Sequence, residues 1–241
     1  NDLHRLLNDK CEGREGNFWA ASSIISIITI DPSFLNHSIA WKELHELTIN
    51  DNYEIRRIAA EAIGKHYSSL NEEKKSVAWK DLHGLLSDPN QNVRIYASDN
   101  LYSVFPQIPE EYKSVAWYDL DKLIKDEDWE VRGNAAFAIG VAFHSIPDKY
   151  RSDSIKNLQG LNDKEEDSNV IMHANHSLGK ICIYKASKSK NLKDSRTLLE
   201  EAIQHFEKAA NEYSYLNPAK FCHLFYRSFD AVIFEKVAPK E

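Results

Sequence analysis

The chain lacks most of what marks a secreted domain, a membrane protein or a hydrolytic enzyme. Its three cysteines, Cys11, Cys182 and Cys222, are odd in number and widely spaced among 241 residues. They form no CxxC pair and no disulfide framework, so reduced thiols in a cytoplasmic protein are expected. Positive charge is short as well. Thirty Lys and Arg face 37 Asp and Glu, for a net charge of −7. A nucleic-acid binder normally carries a basic excess, so nucleic acid is not the expected partner. No apolar run reaches the roughly 18 residues of a membrane span. The longest candidate, Ala20 to Ile30, is too short and is broken by serines. No signal peptide is visible. The chain starts at Asn1 without Met, almost directly in a repeat, and is expected to be part of a longer protein.

Catalytic motifs are lacking too. Gly64-Lys65 and Gly179-Lys180 have no glycine five residues earlier to complete a phosphate-cradling loop. No G-x-S-x-G turn and no H-E-x-x-H helix occurs, and His45-Glu46 reads as a surface dipeptide. No cofactor is expected.

What the chain does have is a period. Ala40-Trp41, Ala78-Trp79 and Ala116-Trp117 lie 38 residues apart. A fixed period of this size marks stacked repeats, none of which can bury its apolar face alone. Ala78, Leu82, Leu85 and Leu86 form one helical stripe, matched by Ala40, Leu44, Leu47 and by Ala116, Leu120, Leu123, Ile124. Ser33, Asn71, Pro109 and Pro147 share the helix-start column, with proline expected at the first helical position. Trp41, Trp79 and Trp117 are expected to pack between units with each indole N–H partnered at the surface. A second helix follows in each unit: Ile55-Arg56 with Ala59, Ala62, Ile63, Gly64; Val93-Arg94 with Ala97, Leu101; Val131-Arg132 with Ala135, Ala138, Ile139, Gly140. After one inserted residue come Val170, Ala174, Leu178 and Gly179. The glycines are expected to end or loosen these helices.

The pattern V-R-x-x-A-x-x-A-[IL]-G, in a two-helix unit with an Asp-rich turn, resembles the HEAT repeat over about Asp2 to Ile183. It is closest to the short type also seen in phycobilin-lyase-like proteins. An earlier unit is implied by Asp2-Leu3-His4-x-Leu6-Leu7, with Ala21 and Ile25 in its second helix. The resemblance implies an all-α fold, a right-handed α-α superhelix with second helices lining a concave face. It also implies a ladder in which Asp88 and Asp126 serve Arg56, Arg94 and Arg132. The expected organisation is a solenoid over 1–184, a linker over 185–194 and a helical hairpin over 195–241. In that hairpin Leu199, Ala202, Ile203, Phe206 and Ala210 form one stripe. Phe221, Leu224, Phe225, Phe229, Val232 and Ile233 follow in the last helix. This hairpin is expected to pack as a cap, with an aromatic docking site as the alternative. Ala202, Phe206 and Ala209 are weakly similar to a tetratricopeptide helix. The chain as a whole looks like archaeal HEAT-repeat proteins ending in such a hairpin.

The function expected is non-catalytic: a scaffold or sensor that binds a protein or peptide on the second-helix face. The groove residues are Arg57, Glu61, Tyr96, Asp99, Trp129, Asn134, Phe137, His173 and His176. Aromatics would anchor the partner and charges would set specificity. Glu61, Asp99, Phe137 and His176 occupy one column with differing side chains, as a recognition surface allows. His173 and His176 are three apart on one helix, a metal-ligand spacing with Glu165, Glu166 and Asp167 nearby, but a partly exposed pair on the groove wall is the plainer reading. HEAT-type hydroxylases place His-Glu pairs before the second-helix alanine, and none stands there. The alternative class is a HEAT-type enzyme or nucleic-acid binder, base-repair-like or cofactor-lyase-like. End-to-end self-association through an uncapped N-terminal repeat is a further expectation.

Overall fold

In the computed structural model the described residues are 22–23, 26–27, 30–31, 38–212 and 217–235. The helices are α1 (Ser38–Thr48), α2 (Tyr53–His66), α3 (Glu72–Leu85), α4 (Gln91–Asp99), α5 (Leu101–Val104), α6 (Lys113–Leu123), α7 (Trp129–Ala142), α8 (Asp148–Lys164), α9 (Ser168–Lys188), α10 (Leu192–Asn211) and α11 (Ala219–Ile233). No strand occurs among the described residues, and the fold is all-α. None of their helices is long and apolar enough to cross a membrane. The chain clusters into two compact units, 1–119 and 120–241. Asp2 to Leu7, Ala21 and Ile25 of the earliest repeat lie outside the described residues, as do Ser33 at the start of the next and the basis for N-terminal self-association.

In the first unit the apolar columns are the core. Leu44, Leu47, Ala78, Leu82, Leu85 and Leu86 are buried, and so are Ile55, Ala59, Ala62, Ile63, Val93 and Ala97. Trp41 and Trp79 are buried as expected, but the Trp41 indole nitrogen has no hydrogen-bond partner among the described residues. The turn before each second helix closes by side-chain chemistry. The Asn52 N–H donates to Asn50 Oδ1 (2.9 Å) and the Glu54 N–H to Asn52 Oδ1 (3.0 Å). One unit later the Asn90 N–H donates to Asp88 Oδ1 (2.8 Å) and the Asn92 N–H to Asn90 Oδ1 (2.9 Å). One residue closes the turn and the next caps the helix, satisfying donors that have no intrahelical acceptor. Arg56 then reaches across to Asp88 with two bonds (2.7 and 3.0 Å), while its third nitrogen holds the carbonyls of Asn50 and Asp51. Arg94 holds the carbonyls of Asp88 and Pro89 in the same way.

A second ladder joins the first helices. His45 Nδ1 lies 2.7 Å from Asp81 and His83 Nδ1 lies 2.7 Å from Asp119. His45 is therefore part of the stacking. In the second unit the same columns give an Asn157 amide donating to Asp121 (2.6 Å).

Each second helix runs into a short 3₁₀ turn opened by a buried aromatic, at Tyr67, Phe105 and Phe143. These are 38 apart, and the next first helix answers each of them. The Tyr67 hydroxyl donates to the Lys75 carbonyl (2.9 Å). The buried Lys113 ammonium donates to the Phe105 carbonyl and lies 4.9 Å from that ring centroid; burial pushes its pKa down to about 8. Arg151 donates to the carbonyls of Ile146 (3.0 Å) and His144 (2.9 Å), 5.6 Å from the Phe143 ring. A cation on the last carbonyls of a helix is favoured by their unpaired lone pairs and by the helix dipole.

The glycines do not end the helices. Gly64, Gly140 and Gly179 are interior positions where a neighbour comes close. A Cβ would stand 2.8 Å from Asn100 Cβ at Gly64, 2.3 Å from Ser177 Cβ at Gly140, and 2.6 Å from a Phe206 ring carbon at Gly179. The prolines differ from expectation as well. Pro109 and Pro147 have ψ of 142° and 138°, so they stand at the cap, one residue before the helical turn.

In the second unit Arg132 finds its acceptor in Glu165, one residue beyond the 38-residue register, and Asp126 closes its own turn by accepting the Asp128 N–H (3.0 Å), as Asp88 does. The expected linker over 185–194 is largely helical. Helix α9 continues through Lys188 and α10 starts at Leu192, capped by Asn191, which accepts the Lys193 N–H (2.9 Å). Only Ser189, Lys190 and Asn191 join the two. Helix α10 packs along α9 through Leu199, Ala202, Phe206 and Ala209. The stripe expected to seat α11 faces outward instead. Phe221, Leu224, Phe225, Phe229, Val232 and Ile233 are exposed, and the helix packs through Ala219, Cys222 and Tyr226.

Candidate functional site

In the first unit the structure brings Arg57, Glu61 and Tyr96 together and leaves Asp99 exposed near them. Arg57 and Glu61 are one turn apart on α2, and Tyr96 comes from α4. The guanidinium lies 4.6 Å from the Tyr96 ring centroid, a cation–π contact. It also bonds Glu54 (3.0 Å) and approaches Glu61 (3.8 Å), and Glu61 pairs with Lys65. The Arg57 guanidinium and then the Tyr53 hydroxyl hold the Glu54 carboxyl below its usual range. The Glu61 carboxylate raises Lys65. The result is an aromatic ring set in a fixed, nearly neutral pattern of charge. Arg57, Glu54, Glu61 and Lys65 are tied into ion pairs, which suits recognition, and burial raises the Asp99 carboxyl beside them.

In the second unit Trp129, the first residue of α7, is exposed, and Asn134 and Phe137 are half-buried on the same helix. Phe137 meets His173 edge-on (centroids 5.5 Å) and stacks on His176 (6.2 Å, 8° between planes), with the Lys180 ammonium 5.8 Å away. His176 is not on an open wall. The hairpin covers it: Phe206 lies 5.7 Å away and Cys222 Sγ lies 3.6 Å from Nε2, leaving the residue 4% exposed. Burial, and then the charge on Lys180, drive its pKa down to about 4. Burial likewise lowers His173 and raises Cys222. A neutral thiol beside a neutral imidazole is the opposite of the thiolate–imidazolium pair of an activated cysteine.

The carboxylates near the two histidines are committed elsewhere. Glu165 holds Arg132, Asp167 caps α9, and Glu166 is exposed. Among the described residues no group of three or more His, Cys, Asp or Glu is placed to hold a metal ion. A shallow cleft between α8 and the start of α7 is lined by Lys125, Arg132 and Lys156 over Ile124 and Leu161. Each cation is paired, with Asp121, Glu165 and Asp153, so the cleft presents no free positive charge to an anion.

The part played by Cys222 and Phe206 in enclosing His176 is not visible from spacing. Phe206 and Cys222 lie 30 and 46 positions away with no shared period. The aromatic stripe of α11 lies on its outward face, and the residues that seat the helix are Ala219, Cys222 and Tyr226.

No family model and no curated protein matches the chain. Among solved structures it is similar to an engineered protein, crystallised as Northeast Structural Genomics Consortium Target OR329. The TM-score is 0.56 at 21% identity, over 94% of this chain and 96% of that one. At that identity the likeness concerns the fold alone.

Proposed function

We propose that the chain is a non-catalytic protein-binding scaffold of the HEAT-solenoid type, taking a peptide or protein segment on the second-helix face of its first unit. The observation that carries this reading is the Arg57–Tyr96 pair. The equivalent positions in the following repeats hold Ile95, Gly133 and Asn134 and form no such pair. Here an aromatic and its cation stand at the surface with their polar partners fixed in advance. A preorganised aromatic–arginine pair is the composition in which binding energy concentrates. Tyr96 supplies area at little cost in rotamer entropy, and Glu54, Glu61 and Asp99 around Arg57 favour a segment carrying positive charge.

Peptide display against the full chain tests this. Selected peptides should share a basic residue beside an aromatic or aliphatic one. Tyr96→Ala and Arg57→Ala should each weaken them at least about tenfold. A selection yielding only peptides indifferent to both substitutions overturns the reading.

A further inference from the structure

Helix α11 has two faces in different surroundings. Ala219 packs with Met172 and Ala209, and Cys222 and Tyr226 pack against the Cys182–Ala202–Phe206 cluster. On the other side Phe221 is 72% exposed, Leu224 66%, Phe225 50%, Phe229 45% and Val232 44%. These positions fall at i, i+3, i+4, i+8 and i+11, one stripe of a helix. At 1.5 Å per residue the stripe is about 16 Å long, three turns. With Ile233 it presents on the order of 600 Å² of apolar surface, close to the roughly 800 Å² that each partner gives to a standard interface.

The charges of the helix are sorted in the same way. Asp230 and Glu235 turn to Arg196 on α10 (3.9 and 3.7 Å). Lys220 and Arg227, seven apart, run along one edge of the stripe; both are exposed, and neither makes an ion pair among the described residues. Asp230 of this helix and Glu235 just beyond it are engaged, and two bases remain beside the apolar surface.

We propose that this stripe docks an amphipathic helix of a partner protein whose apolar seam carries acidic side chains along the edge facing Lys220 and Arg227. The occupant is a helix because α11 offers no open backbone donors or acceptors, so the incoming segment must satisfy its own. It is acidic along one edge because a base left beside a desolvated seam favours an opposite charge. A second copy fits poorly: a two-fold antiparallel pair of α11 helices sets the two Lys220–Arg227 edges on the same side, base against base. An anionic membrane fits poorly as well, since basic residues border only one edge and the chain carries a net charge of −7. This surface rests on residues of the second unit and the Arg57–Tyr96 pair on residues of the first, so the two proposals stand or fall independently.

The test uses the full chain and two synthetic helical peptides of about 18 residues. They share one Leu/Ala seam and carry Glu or Lys along its edge. In fluorescence anisotropy the Glu-edged peptide should bind at least about tenfold tighter, and the preference should shrink in high salt. Phe221→Ser with Leu224→Ser should remove binding while the circular dichroism stays helical. Lys220→Glu with Arg227→Glu, surface changes that keep the stripe, should reverse the preference, and Tyr96→Ala should leave binding unchanged. Equal affinity for the two peptides overturns the proposal, as does binding that survives the stripe variant or is lost with Tyr96→Ala. So does a dimer in sedimentation that the stripe variant dissolves. Co-sedimentation with phosphatidylserine-containing vesicles that depends on Phe221 overturns it in favour of a lipid surface.

Discussion

Arg132 meets Glu165 side-on, with Nε 2.6 Å from one carboxylate oxygen and Nη2 3.0 Å from the other, while its remaining nitrogen holds the Asp126 and Glu127 carbonyls. Both side chains are largely buried, at 18% and 10% exposure. One guanidinium thus ties the turn before α9 to the turn before α7. Arg132→Lys keeps the charge and loses the fork, so it should cost about 1–2 kcal/mol in urea unfolding. Lys156→Met, which breaks the exposed pair with Asp153, should change stability by less than about 0.5 kcal/mol. Equal losses would show that the fork contributes no more than a surface pair.

Glycine substitutions should separate by sign. Gly140→Ala places a Cβ 2.3 Å from Ser177 Cβ and 2.6 Å from its Cα, where backbone must move, and should destabilise by about 2 kcal/mol or more. Gly84, inside α3, has nothing within 4 Å of an added Cβ. Gly84→Ala should stabilise by about 0.5–1 kcal/mol through helix propensity. Thermal melts of the two variants decide it, and a destabilising Gly84→Ala would contradict the open environment described.

Stability should fall as pH drops from about 6.5 towards 4. The folded-state pKa of His176 is about 4, below its unfolded value, because burial disfavours the charged form. Above pH 6.5 the ring is neutral in both states. Between the two pKa values only the unfolded state takes the proton, so unfolding gains, by up to about 3 kcal/mol at the acid end. His173 and His205 are lowered by burial too and add to the same slope. His176→Leu should flatten the decline between pH 6 and 4.5. An unchanged slope would place the titration elsewhere.

Lys113 predicts the mirror case at alkaline pH. Its folded-state pKa is lowered to about 8, so below pH 8 both states hold the proton and the folded state bears the full penalty of a buried charge. As pH rises towards the unfolded value of about 10.4, the folded state releases the proton first and stability increases. Lys113→Met should abolish that rise in chemical denaturation between pH 8 and 10. A rise that persists in the variant would assign it to another group.

The sequence shows these elements unevenly. The Leu and Ala columns, the Arg56 and Arg132 positions and the buried tryptophans recur every 38 residues, so their shared environment can be read without coordinates. Glu165 escaped because the inserted residue moves it one place out of the Asp88–Asp126 column. The His45–Asp81 and Asp121–Asn157 contacts share positions but not residue types, so no motif marks the ladder. The three glycines were misread because a helix-ending glycine and a close-approach glycine look alike locally. Only the neighbouring Asn100, Ser177 or Phe206 tells them apart. In the candidate site, Arg57, Glu61 and Tyr96 stay together because helical spacing and repeat register place them. His176 leaves the expected surface because residues from the hairpin, remote in sequence, close over it.

The junction of α9 and α10 bears on how the chain can be dissected. A three-residue link between a 21-residue helix and a 20-residue helix leaves no swivel. The Phe206 ring lodged against Gly179 pins the pair partway along both. A truncation at residue 184 would amputate a rod in mid-span and bare the pocket around Cys182 and His176. Loss of binding in such a fragment would report damage to the array as readily as loss of a contact, so point changes on the outer side of α11 are the cleaner instrument.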